Sequence, residues 1–93
     1  MATKILKITN IHVIDSAKIA LAGGLLNQSM SSDELANIIG SVVTVADNSK
    51  DLFNVQIMDL QMSTSLAGFK EIFILVENKY TEATLVGNYI VMD

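Results

Sequence analysis

The chain has 93 residues, a formal charge of −4, 51% hydrophobic residues and 17% charged ones. That length buries about two-thirds of the unfolded surface, enough for one core, so residues 1–93 are read as a single domain. The composition excludes disorder, which needs few apolar residues and many charges. The absence of cysteine excludes disulfides, zinc–thiolate sites and thiol chemistry.

The β-formers dominate: 11 Ile, 8 Val, 6 Thr and five aromatics stand against 8 Ala. The first expected strand runs from Lys4 to Ile14. Leu6 and Ile8 share one face, and Ile11 and Val13 have the opposite parity. A one-residue slip near Thr9-Asn10, as in a β-bulge, would bring both pairs to the same side. Asp15-Ser16 reads as a turn. Ala17 to Leu26 has two readings. Asp15 or Ser16 would cap a helix over Ala17–Ala22, but Gly23-Gly24 would cost about 1 kcal/mol per glycine there. Ile19 and Leu21 alternate with lysine and alanine as on a half-buried strand. We adopt the strand, with helix as its alternative, and Gly23-Gly24 then marks a kink or a close backbone approach.

One short helix is expected near residues 32–39. Ser31-Ser32-Asp33-Glu34 is a capping box, and Leu35, Ile38 and Ile39 form an apolar stripe at helical spacing. Gly40 stands where a left-handed cap belongs. About two turns long, this helix depends on packing. Ser41–Ala46 is the next strand, and Asp47-Asn48-Ser49-Lys50-Asp51 is a polar turn. In Leu52–Met62, Phe53, Val55 and Ile57 share a face, but Met58, Leu60 and Met62 take the other parity. Such a switch suits a strand that bends at a barrel corner. Ser63–Lys70 is expected to be a loop with Gly68 as its turn glycine, Glu71–Glu77 a fully buried strand, and Asn78–Asn88 irregular. Tyr89–Met92 closes the chain, with Gly87 turning the backbone into it. About six short strands and one helix predict an all-β fold, a small six-stranded β-barrel, since closure removes exposed edges.

Taken in order, these segments resemble the second domain of translation elongation factor Tu and its GTPase relatives. The opening strand is Lys7–Ile14, the second Ile19–Leu26, and the turn-strand Ile38-Ile39-Gly40-Ser41-Val42-Val43-Thr44-Val45. Phe53–Leu60 is similar to the long strand, Leu66-Ala67-Gly68 with Phe69–Val76 to the loop and buried strand, and Gly87–Val91 to the closing strand. The resemblance covers nearly the whole chain. Asn27–Asn37 would be an insertion, and Ser41 stands where the family has aspartate. The resemblance implies a β-barrel alone, because no phosphate-cradling G-x-x-x-x-G-K-[ST] loop is present. In the family this barrel contacts the aminoacyl end of tRNA through acidic and arginine positions. Ser63-Thr64-Ser65-Leu66-Ala67-Gly68 lacks both, so no tRNA-binding residue carries over.

The residues offer little reactive chemistry. His12, the only histidine, lies within a strand with no convergent partners in the pattern. Ser63, Thr64 and Ser65 bring hydroxyls without an activating group. Asp47 and Asp51, with Asn48 and Ser49, would make at most a weak calcium loop, lacking the glycine and distal glutamate of an EF-hand. Glu71, Glu77 and Glu82 are too dispersed to pair. Met58 and Met62 suit an adaptable binding surface or core filling. No catalytic, metal or cofactor site is expected, and the chain is not expected to be an enzyme.

The six positive charges, Lys4, Lys7, Lys18, Lys50, Lys70 and Lys79, are scattered, and there is no arginine. Nucleic acid is therefore not an expected partner. The longest apolar run, Ile72–Val76, falls far short of the roughly 20 residues of a membrane span. Met1–Lys7 has no signal-like apolar core. The expectation is a cytoplasmic binding or adaptor module whose partner is a protein, a homodimer being the simplest case. A small structural protein of the virion type, assembling in many copies, is the alternative.

Overall fold

The computed structural model describes residues 3–80 and 82–92, the side chains of Glu82 and Ala83 excepted. Its strands are β1 (Thr3–Lys7), β2 (Asn10–Val13), β3 (Lys18–Gly24), β4 (Val42–Ala46), β5 (Asp51–Gln56), β6 (Asp59–Thr64), β7 (Lys70–Glu77) and β8 (Tyr89–Met92). Two short helices, α1 (Ser32–Ala36) and α2 (Glu82–Leu85), follow β3 and β7. All pairings are antiparallel and form two four-stranded sheets, ordered β1-β8-β4-β5 and β2-β3-β7-β6.

The all-β expectation is met, but not as one closed six-stranded sheet. Eight strands appear because the two longest expected strands each break at a corner. Residues 4–14 break at Ile8-Thr9. The Ile8 amide donates to the Asn88 carbonyl at 2.8 Å, whereas the Thr9 amide donates to Ala22 at 2.9 Å. One residue thus bonds toward the first sheet and the next toward the second. Residues 52–62 break the same way: Ile57 N–H donates to Ser41 at 2.9 Å and Met58 N–H to Leu75 at 2.8 Å. The expected parity change at Met58 is this corner. Leu60 and Met62 pack against the core on the far side of it. At the first corner the slip is a change of sheet, and a separate bulge lies between Lys4 and Leu6. Leu6 and Ile8 are buried, but Val13 is 73% exposed, contrary to its expected inward position.

Between the sheets one cluster of buried aliphatic side chains forms the core, with Ile5, Leu6, Leu21, Ile74 and Ile90 fully enclosed. No polar or charged residue is buried among the described residues. Lys18–Gly24 is a strand, paired with β2 on one side and β7 on the other. Its glycine marks a close approach: a Cβ on Gly23 would overlap the Lys7 carbonyl oxygen.

The segment between β3 and β4 forms the cap that its signals predict. Ser31 caps α1, its hydroxyl accepting from the Glu34 amide at 3.2 Å while the Glu34 carboxylate accepts from the Ser31 amide at 3.1 Å. Leu35 and Ile38 enter the core; Ile39 is 40% exposed. The helix is shorter than expected, five residues, because the chain tightens into i→i+3 bonds at Ile38 and Ile39. Gly40 then turns with φ +87°, a conformation that glycine adopts without steric cost. Gly68 and Gly87 have positive φ as well. Lys70 anchors this segment, its ammonium donating to the carbonyls of Gln28 and Met30 at 2.8 and 3.1 Å.

Three expectations need correction. The loop between β6 and β7 is shorter than residues 63–70, because Ser63 and Thr64 pair with Glu71 and Lys70. Asn78–Asn88 contains α2, whose Leu85 is fully buried; four residues are too few to display a helical period, and Thr81 lies outside the described residues. Lys70–Glu77 is not buried on both faces. Ile72, Ile74 and Val76 fill the core, while Phe73 and Leu75 face outward and are only partly covered.

Candidate functional site

The outward parity of β7 builds an apolar surface. Register sets Phe73 beside Ala22 and Leu75 beside Ala20 on β3, and His12 beside Ala20 on β2. The two alanines are small enough to form a floor between taller neighbours. His12 leans against Phe73, ring centroids 6.1 Å apart, and Ile14 is 56% exposed. A shallow groove of about 160 Å³ runs over Ala20 between Ile14, Phe73 and Leu75, with Asp59 and Gln61 at its polar margin. The outer face of this sheet thus has a small apolar centre, Ala20, Ala22, Phe73 and Leu75, ringed by polar residues that include His12, Lys18, Asp59, Gln61 and Glu77.

A larger cleft, about 530 Å³, opens where β5 turns away from β7, lined by Ser16, Ala17, Gln56, Met58, Asn78 and Tyr80 among others. Its wall is firmly held. Asn78 donates from its backbone to Ala17 at 2.8 Å and from its side chain to the Asp15 carbonyl at 3.2 Å. Tyr80 stacks on Phe53 at 4.7 Å, and its hydroxyl donates to the Asn54 carbonyl at 3.4 Å. The charges at the rim, Glu77 and Lys79, pair with each other at 3.6 Å and are both well exposed. Such a cleft offers shape and hydrogen-bonding groups, with its charges mutually neutralised.

The residues singled out from the sequence fall in separate places. His12 lies exposed on the outer face of β2. Ser63 and Thr64 are exposed on β6, and the Ser65 hydroxyl accepts from the Phe69 amide at 3.1 Å, closing the hairpin. Leu66, in the loop compared with the elongation-factor loop, is fully exposed. Glu71 and Glu77 stand at opposite ends of β7, about 20 Å apart at 3.4 Å per residue. The side chain of Glu82 lies outside the described residues. Met58 is 46% exposed in the cleft, whereas Met62 packs on the core.

Asp47 serves its own turn. Its carboxylate accepts from the Ser49 amide at 2.7 Å, the Lys50 amide at 2.8 Å and the Ser49 hydroxyl at 3.0 Å. Those bonds, led by the Ser49 amide and helped by the Lys50 charge, hold its carboxyl below the usual aspartate value of 3.8. Among the described residues no group of three or more His, Asp or Glu is placed to hold a metal. A depressed folded pKa stabilises the fold above the unfolded value and loses that contribution as pH falls through the folded one. Asp47→Ala is therefore expected to loosen the turn at neutrality, where the parent's carboxylate bonds are intact, and to remove the turn's own acid dependence below about pH 3.9. Amide chemical shifts of Ser49 and Lys50 through an acid titration measure this; identical titrations in variant and parent would contradict it.

Fold and surface together define a class, a small two-sheet antiparallel β domain with an apolar patch at the centre of one outer face. No family model matches the chain, and no curated protein or solved structure matches it significantly. Among the described residues no helix is long and apolar enough to cross a membrane.

Proposed function

We propose that the chain is a non-catalytic protein-interaction module that associates with a second copy of itself. The observation that carries this reading is the apolar patch on the outer face of that sheet: Phe73 and Leu75 are only partly covered and Ile14 is 56% exposed. Contiguous apolar surface of that kind favours a protein partner. The lysines add little to a nucleic-acid surface. Lys4 and Lys7 lie over the Tyr89 ring at 4.2 and 6.0 Å, Lys70 holds the segment before α1, and Lys79 pairs with Glu77.

The proposal keeps the likeness to the second domain of elongation factor Tu, as a barrel without the GTPase part and in the cytoplasm. Its support is the strand order. Counted through the corners, β1-β2 and β5-β6 are each one bent strand. Six strands then follow in a ring: β1-β2, β8, β4, β5-β6, β7 and β3. That order suits a six-stranded barrel flattened into two sheets. The many-copy structural reading needs at least two unprotected docking edges per chain, and three of the four edge strands carry charge. A finite dimer is favoured over open-ended assembly.

Light scattering across a dilution series tests the reading. The expected result is a mass that rises from one chain to two with concentration. A strict monomer at millimolar concentration would overturn self-association, and a mass growing without limit would favour the many-copy alternative.

A further inference from the structure

We propose that the cleft between β5 and β7 binds an extended, uncharged peptide segment of another protein, recognised mainly through its main chain. This partner is distinct from the second copy proposed above, and the two are tested apart.

The cleft exists because a bent strand leaves its neighbour. β6 runs beside β7 as far as the pair Asp59 and Leu75. Met58 makes the last bond, donating to the Leu75 carbonyl at 2.8 Å. Beyond it β5 belongs to the other sheet, while β7 continues to Glu77. Two strand edges then face each other with no strand between them.

The register says which groups line these edges. Ile57 donates to the Ser41 carbonyl at 2.9 Å and accepts from the Gly40 amide at 2.7 Å, so Ile57, Val55 and Phe53 point toward β4. The main-chain groups of Asn54 and Gln56 point the other way, into the cleft. On the opposite wall the Asn78 amide donates to Ala17 at 2.8 Å, so Asn78 and Val76 point toward β3 and Glu77 points into the cleft. The Glu77 carbonyl already accepts from the Lys79 amide at 3.0 Å, and the Asn54 carbonyl from the Tyr80 hydroxyl at 3.4 Å. The N–H and C=O of Gln56 and the N–H of Glu77 remain. Among the described residues no strand pairs with them on that side.

Main-chain donors and acceptors on two facing walls call for a ligand with such groups along both of its edges, and an extended backbone has them. The dimensions fit such a segment. The cleft's volume of about 530 Å³ lies within the range of ligand sites. From the corner at Met58 to Asn54, where Tyr80 closes the far end, is about 14 Å at 3.4 Å per residue, room for about four or five residues. Charge selects a neutral segment. Glu77 and Lys79, the two charged residues of the lining, pair with each other, and the Lys79 ammonium also lies 5.5 Å from the Tyr80 ring centroid. A charged ligand would meet no unpaired opposite charge. Met58 and Ala17 offer apolar contact to its side chains.

The test titrates the nitrogen-labelled chain with a capped peptide, acetyl-Ser-Val-Thr-Val-Ser-amide, and follows amide chemical shifts. Saturable shifts are expected at Gln56 and Glu77. N-methylating either alternate set of peptide amides is expected to weaken binding about tenfold or more, because each set faces one wall and loses its hydrogen bonds there. The analogue with glutamate in place of its serines and threonine is expected to bind about tenfold less tightly. Gln56→Pro removes one cleft donor and no β4 bond, a change that an edge strand tolerates. Ala17→Trp fills the mouth from an exposed position. Each is expected to weaken binding about tenfold, and Ala17→Trp to do so with the melting temperature of the parent. Absence of shifts at millimolar peptide overturns the proposal, as do shifts confined to Ile11 and Val13 on the free edge of β2. Equal binding of the N-methylated peptides overturns main-chain recognition, and equal binding of the glutamate peptide overturns the neutral segment. Light scattering without peptide judges self-association separately, whichever result is found.

Discussion

Gly23→Ala is expected to abolish cooperative folding, or to lower the melting temperature by more than about 20 °C. Gly23 lies near the end of β3, an inner strand of the second sheet, paired with Ile72 on β7. A Cβ there would overlap the carbonyl oxygen of Lys7 and stand 3.0 Å from both the Lys7 carbonyl carbon and a Leu6 methyl. Two of these obstacles are backbone and cannot rotate away. Relief requires β1 to move off β3, which breaks the Leu6–Leu25 bridge and the 2.8 Å bond from Leu26 N–H to the Ile5 carbonyl. A clash of that kind falls in the exceptional range above about 4 kcal/mol. In a domain of this size each 1 kcal/mol lowers the melting temperature by about 4–8 °C.

Its neighbour gives the control. A Cβ on Gly24 would meet only the Phe69 ring, at 2.8 and 2.9 Å. Phe69 is 49% exposed, so the ring can turn toward solvent. Gly24→Ala is expected to cost no more than about 1 kcal/mol, within the ordinary range of point substitutions. Thermal melts of the two variants side by side make the measurement. A Gly23→Ala protein melting within a few degrees of the parent would mean that the two sheets do not approach so closely.

Leu35→Ala is expected to cost about 2–5 kcal/mol and to release the α1 segment before the rest of the domain unfolds. α1 has five residues, too few to persist alone. Its capping box contributes about 1 kcal/mol. Within the helix itself the remaining support is Leu35, fully buried in the core cluster, with Ile38 and the Lys70 bonds holding the segment at either side. Hydrogen exchange should accordingly lose protection over residues 31–40 in this variant, whereas Ser31→Ala should lose far less. If the two variants cost the same, the cap rather than packing holds the helix.

Local features were legible because their causes are local. Ser31 and Glu34 satisfy each other's amides within three residues, so the capping box appears in the sequence as it appears in the fold. Asp47 closes a turn with residues two and three positions on. The parity switch at Met58 marks a true corner, because the faces of a bent strand are written in its own alternation. Gly23 signals a close approach without naming the segment that approaches. The candidate site was less legible. The run Ile72–Val76 is equally compatible with a strand buried twice and with one that keeps Phe73 and Leu75 at the surface. Tyr80 stacking on Phe53 joins segments with no shared pattern.

By itself, then, the sequence determined the all-β character, the helix cap, the turns, the second corner and the absence of thiol chemistry, each set by residues near one another in the chain. Tertiary structure alone decided the pairing of strands into two sheets, the exposure of Val13, the partial covering of Phe73 and the formation of α2 around Leu85. Those outcomes depend on what lies across from a residue. An apolar side chain reports that it favours burial, and only the distant segments packed around it decide whether burial is available.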